Sequence, residues 1–171
     1  MTGGPRLCYA VGQKFDQPGS RPGGKEDGEM KKLINTAMVY CLLAAVAGVF
    51  YREFTKWNDY TGITTLSKLH THLFTLGMFL FLILALFARQ DSTLVDTKGF
   101  RSFFVLYNIA LPFLVCTLLA RGILEVLQVE LTTSMDAMVS GIAGLSHILI
   151  TIALLLLFSV LRKSAAREQV A

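Results

Sequence analysis

Charge is scarce in this sequence. Only 16% of its 171 residues are Asp, Glu, Lys or Arg, against about a quarter in an average soluble domain. The charges that exist cluster between long apolar runs instead of spreading evenly. The balance is basic, with a formal net charge of +4, yet no patch of interleaved aromatic and basic residues accompanies it. That excludes a nucleic-acid surface and points to anionic lipid headgroups as the partner of the positive charge. Cysteine is also scarce: Cys8, Cys41 and Cys116 include no C-x-x-C spacing, which excludes a disulfide framework or a zinc knuckle. Cys41 and Cys116 lie in apolar runs and read as small apolar fillers. There is no phosphate-cradling glycine loop, no H-E-x-x-H and no nucleophile elbow. Ser146 directly precedes His147, but adjacent helical positions diverge, so the two make no catalytic pair.

What the sequence does have is length enough for one domain and four apolar runs. Residues 1–29 carry turn residues and charges without an apolar period. They read as a disordered tail, an extension or over-called start ahead of Met30-Lys-Lys-Leu-Ile. The first apolar run, residues 33–51, has no charge and the ~20-residue length of a spanning helix. Ala44 and Gly48 within it form a small-xxx-small pair that admits a close neighbour. Tyr51 and Trp57 suit the headgroup belt. The second helix begins at Thr64 or Thr65, either able to cap it, and ends at Arg89, Gln90 and Asp91. The third spans about residues 100–127 and holds Tyr107, Asn108, Arg121, Glu125 and Pro112, where a kink is expected. The fourth spans about residues 138–161 and is closed by Arg162, Lys163 and Arg167.

The expected fold is therefore all-α: an integral membrane, up-down four-helix bundle over residues 30–163, with a short tail from 164 to 171. Nine Lys and Arg residues flank one side (Lys25, Lys31, Lys32, Arg89, Lys98, Arg101, Arg162, Lys163, Arg167) and four the other (Arg52, Lys56, Lys68, Arg121). By the positive-inside rule both termini are cytoplasmic.

All three histidines, His70, His72 and His147, lie in the membrane segments, where an ionisable residue is a functional hypothesis by default. His72 is about 10 Å into the second helix and His147 about 12 Å into the fourth, counted from the same side at ~1.5 Å per residue. In an up-down bundle these helices face each other diagonally. Two imidazoles at one level there would ligate an iron axially, as in haem b. Ser140, Ala143 and Gly144 precede His147 and leave room for a flat macrocycle. Arg52, Lys68 and Arg121 are the cations within reach of propionates, Arg being suited to forked carboxylate contacts. His70, about 200° from His72 around the helix, faces headgroups, a loop or another helix.

Other readings stand beside this one. In one, the histidines serve as interhelical glue in a non-catalytic membrane partner or transporter subunit, with no cofactor at all. Arg121 and Glu125, four residues apart, pair with each other in that case. Tyr107 and Asn108 cap the Pro112 kink or line a site. A third reading is a copper or zinc site at His72 and His147 completed by a hydroxyl or thiol. A membrane redox partner and a homo-oligomer are the protein partners these readings imply.

Met30-Lys-Lys-Leu-Ile-Asn-Thr-Ala, Gly48-Val-Phe-Tyr-Arg-Glu-Phe-Thr-Lys, His70-Thr-His-Leu with Gly77-Met-Phe, Tyr107-Asn-Ile, Arg121-Gly-Ile and Ser140-Gly-Ile-Ala-Gly with His147-Ile-Leu resemble a small bacterial membrane-protein family known only as a domain of unknown function. The resemblance covers about residues 30–162. It implies four helices and the bacterial inner membrane, and no established activity. His70-Thr-His-Leu followed by Gly77 is also similar to histidine segments in relatives of the haem-copper oxidase catalytic subunit and in a nitric-oxide-response family of haem proteins. That likeness implies haem or copper at His72, and at most also His70. The chain is too short for a whole oxidase subunit.

Overall fold

The computed structural model describes the backbone of residues 23–91 and 93–168, and the side chains of 28–91 and 93–166. The tail expected over residues 1–22 lies outside the described residues. No strand occurs among those described. Four helices among the described residues are long and apolar enough to cross a membrane. The first runs Gly23–Trp57, so residues 23–29, expected as tail, instead continue the helix of the apolar run. Glu29 there pairs with Lys32 one turn on, at 3.6 Å. The fourth runs Thr133–Glu168, longer at both ends than its apolar stretch.

The second span, Thr65–Gln90, is not a uniform helix. Thr64 caps it, its hydroxyl accepting from the Leu66 N–H, as its side chain and position predict. A 3-10 turn, Thr65–Lys68, leads into one α turn, Leu69–His72. A π segment, Leu73–Phe79, follows before α geometry resumes over Leu80–Gln90. A π segment displaces carbonyls from the regular ladder. The Leu76 carbonyl there accepts from the Tyr107 hydroxyl at 2.8 Å. Gly77 lies in the same segment, and a Cβ on it would fall 2.6 Å from Tyr40 Cβ and Cγ. The first and second spans therefore touch backbone to ring.

The third span, Lys98–Val126, capped by Thr97, is the hub. Its helix continues through Pro112. Tyr107 and Asn108 tie spans together: the Tyr40 hydroxyl donates to Asn108 Oδ1 at 2.9 Å. Around them Phe81 lies parallel to Tyr40 and edge-on to Phe104 and Tyr107. Such arrangements contribute beyond their buried area. Nearer the histidines the second span sits down on the third at Gly122, where a Cβ would lie 2.6 Å from the Leu66 backbone nitrogen. The fourth span packs along the third through buried Ser146, Ile150, Ala153 and Leu157, with Ser146 and Thr117 hydroxyls 3.3 Å apart.

As an up-down bundle requires, the second and fourth spans both lie against the third. The bare backbone at Gly122 admits the second span, and small Ser146 admits the fourth. This sets the second and fourth spans on neighbouring flanks of one helix.

Candidate functional site

At the end of the bundle where the second span starts, a chain of polar contacts crosses the third span. Glu125 Oε2 accepts from the Thr65 N–H at 2.6 Å and from its hydroxyl at 3.1 Å. A carboxylate at a helix start meets free N–H groups and the positive end of the dipole. The Thr64 hydroxyl donates to the Gly122 carbonyl at 3.1 Å. Glu125 Oε1 in turn lies 3.5 Å from Arg121 Nε. The Arg121 guanidinium donates to Ser140 Oγ at 2.9 Å and to Asp136 Oδ1 at 3.4 Å, both on the fourth span. The sequence Thr65–Glu125–Arg121–Ser140 is a bridge from the second span to the fourth.

That bridge marks one flank on each of the two spans. His72 is seven residues beyond Thr65, and His147 seven beyond Ser140. Seven residues are close to two turns. The 3-10 turn adds about 60° on the second span, leaving His72 within about 40° of the Thr65 direction. Both histidines therefore hang on the bridged flanks, each about 10–12 Å below the bridge.

The two imidazoles are held alike. His72 Nδ1 lies 2.8 Å from the Lys68 carbonyl, and His147 Nδ1 lies 2.8 Å from the Ala143 carbonyl. A carbonyl can only accept, so Nδ1 carries the proton in each. This leaves Nε2 as the nitrogen through which the imidazole could bind a metal. His72 is half-buried and His147 exposed. Beside His147, an added Cβ on Gly141 or Gly144 would meet nothing within 4 Å, so that side of the fourth span has open space.

These features leave Nε2 of each ring as the atom that could meet a ligand, with open space beside His147. The cations fit less simply. Arg121 already faces Glu125 and Asp136, so its charge is shared. Arg52 pairs with Glu53 at 3.1 Å and its side chain is 77% exposed. It lies on the first span, which meets the second through Gly48 and His70, away from the flank of His72. Lys68, exposed and one turn above His72, is the cation on that flank. No cluster of three or more His, Cys, Asp or Glu side chains able to hold a metal occurs among the described residues.

His70 takes the remaining direction. Its ring packs 3.8–3.9 Å from where a Gly48 Cβ would be, so it faces another helix. Its Nδ1 is buried without a hydrogen-bond partner. Reading the sequence found the three histidines and Arg121 but missed Glu125 as the cap of the second span. A carboxylate opposite a Thr-Thr helix start was the available signal, but nothing local places it 60 residues away.

One family model matches residues 30–164; its description is a protein of unknown function, DUF2871. No curated protein matches. No solved structure matches. The similarity of His70-Thr-His72 to haem-copper oxidase segments thus draws no support from these comparisons.

Proposed function

The chain belongs to this family of unknown function, and from that premise we propose that it binds one b-type haem between His72 and His147, for electron transfer or diatomic-gas sensing. One observation supports the reading: His72 and His147 each have Nδ1 bonded to a carbonyl four residues back, and helix geometry puts each about two turns beyond an end of the Thr65–Ser140 bridge. That bond orients the ring and leaves Nε2 as the ligating atom. Bound haem would supply the redox or gas-binding iron. The residues of this chain would set its axial field and its burial, the levers by which a protein tunes such an iron. Gly144, where an added Cβ meets nothing within 4 Å, would leave room for the macrocycle, and Lys68 would offer a charge to a propionate. Arg121 acts in the bridge above. The lipid bilayer supplies the remaining wall, because His147 is exposed on the bundle. The excess of Lys and Arg on the side of both termini supports a cytoplasmic location for them, in the bacterial inner membrane.

The test is an absorption spectrum of protein purified from cells supplied with haem. A Soret band that is lost in His72→Ala and in His147→Ala is the expected result; its absence from the wild type refutes the reading.

A second reading is favoured by the same hydrogen bonds. Each Nδ1 is already satisfied within its own helix, so structural histidines in a non-catalytic membrane partner need no metal. In that case His72→Ala lowers thermal stability with no change in pigment or in metal content, including copper and zinc.

A further inference from the structure

We infer that Arg121 and Glu125 form a strap that sets the spacing of the second and fourth spans, making them positioning residues for His72 and His147. This deepens the haem reading and rests on it for one of its two readouts.

The argument starts from what else holds those two spans near each other. The fourth span packs along the third, and the second span packs on the first and third. Near the histidines, a polar link runs between the second and fourth spans through Glu125 and Arg121. Each end is specific. Glu125 grips the second span at its start, where Thr65 offers both an N–H and a hydroxyl to one carboxylate oxygen. Arg121 grips the fourth span at two positions a turn apart, Asp136 and Ser140. Guanidinium geometry allows it to hold Glu125 with Nε while its terminal nitrogens reach Ser140 and Asp136. A lysine has one nitrogen on a flexible stem and cannot hold all three.

Charge completes the case. Arg121 has two carboxylates within 3.5 Å, so the cluster carries one net negative charge. A cluster of that sign repels a propionate. The same two carboxylates suit a buttress, since each contact is charge-assisted and the guanidinium holds Glu125 and the fourth span at once.

The two histidines are about two turns beyond the ends of this strap, each on the span that the strap grips. A change in strap length is therefore felt directly at the Nε2 positions. Axial ligation by two rings tolerates little widening, because a displacement on the order of 1 Å already disrupts a catalytic or ligating geometry.

The experiment measures spacing and haem separately. Nitroxides are placed at Thr75→Cys and Met138→Cys, both exposed positions, in a chain with its native cysteines changed to serine. Double electron–electron resonance is then recorded in vesicles. One narrow distance is expected in the parent, a longer and broader distribution in Arg121→Gln and in Glu125→Gln, and partial restoration in Arg121→Lys. Haem transfer to apomyoglobin is measured in the same variants and should be roughly tenfold faster, the loss of about one charge-assisted contact. A parent-like distance distribution in both Arg121→Gln and Glu125→Gln overturns the strap, whatever the haem content. A parent without haem overturns the haem reading, and the distance data still judge the strap. Should Arg121→Gln fail to fold, Ser140→Ala and Asp136→Asn together release only the fourth-span end. A distribution unchanged from the parent in that double variant counts against the strap.

Discussion

Replacing Gly122 with alanine tests the contact on which the placement of the second span depends. The new Cβ would fall 2.6 Å from both Leu66 Cγ and the Leu66 backbone nitrogen, and 2.8 Å from Leu66 Cδ2. Ordinary carbon contacts lie near 3.5–4.0 Å, so the spans must part by about 1 Å. The Leu66 side chain alone cannot relieve this, because one of the atoms is backbone. Parting the spans stretches the Thr64 bond to the Gly122 carbonyl, now 3.1 Å, and the Thr65 bonds to Glu125. Overpacking of this kind costs roughly 1–3 kcal/mol. A weakened buried hydrogen bond adds about 0.5–1.5 kcal/mol. Together they give about 2–4 kcal/mol. Gly144→Ala is the control, since nothing lies within 4 Å of its added Cβ and alanine is the better helix former by up to about 1 kcal/mol. Thermal unfolding in one detergent, followed by circular dichroism, should show a Tm lowered by roughly 5–10 °C for Gly122→Ala and unchanged or raised for Gly144→Ala. Equal Tm values for the two variants would refute the reasoning.

Further outcomes follow from other contacts. Tyr107→Phe removes the donor to the Leu76 carbonyl at 2.8 Å and leaves a π-segment carbonyl without that bond, so stability should fall by about 1 kcal/mol with helix content unchanged, as read by chemical denaturation. The Asp91 carboxyl is held below its usual range, first by the Ser164 hydroxyl and then by Thr93. Its folded pKa is depressed, so its stabilising contribution is complete above the ordinary carboxylate range and is lost as pH falls through the folded value. Ser164→Ala should therefore reduce the difference in Tm between neutral pH and acid pH, and an unchanged difference would count against the contact.

Much of this arrangement is legible before any coordinates. The four apolar runs, the Thr64 cap and the polar stop at Gln90 and Asp91 follow from hydropathy and capping chemistry, which act over a few residues. The π segment after His72 is not legible, because it is imposed by Tyr40 against Gly77 and by Tyr107 at the Leu76 carbonyl, partners 31 or more positions away. The helical state of residues 23–29 was missed for the opposite reason: a long helix already begun at the apolar run carries polar residues beyond its end at little cost. Arg121 was legible as a cation at the right depth. Its engagement by Glu125, Asp136 and Ser140 was not, since only the packing of the fourth span on the third brings two of those three within reach. His70 and His72 differ by two positions, and helical geometry alone separates their directions. Which of them meets the first span depends on Gly48, and that needed the structure.

The most direct measurement is the absorption spectrum of the purified protein with and without its two candidate ligands. The account predicts a Soret band in the wild type with paired α and β bands on reduction, diminished together in His72→Ala and His147→Ala and retained in His70→Ala. A wild-type spectrum without those bands, or bands that survive in both His72→Ala and His147→Ala, would contradict it.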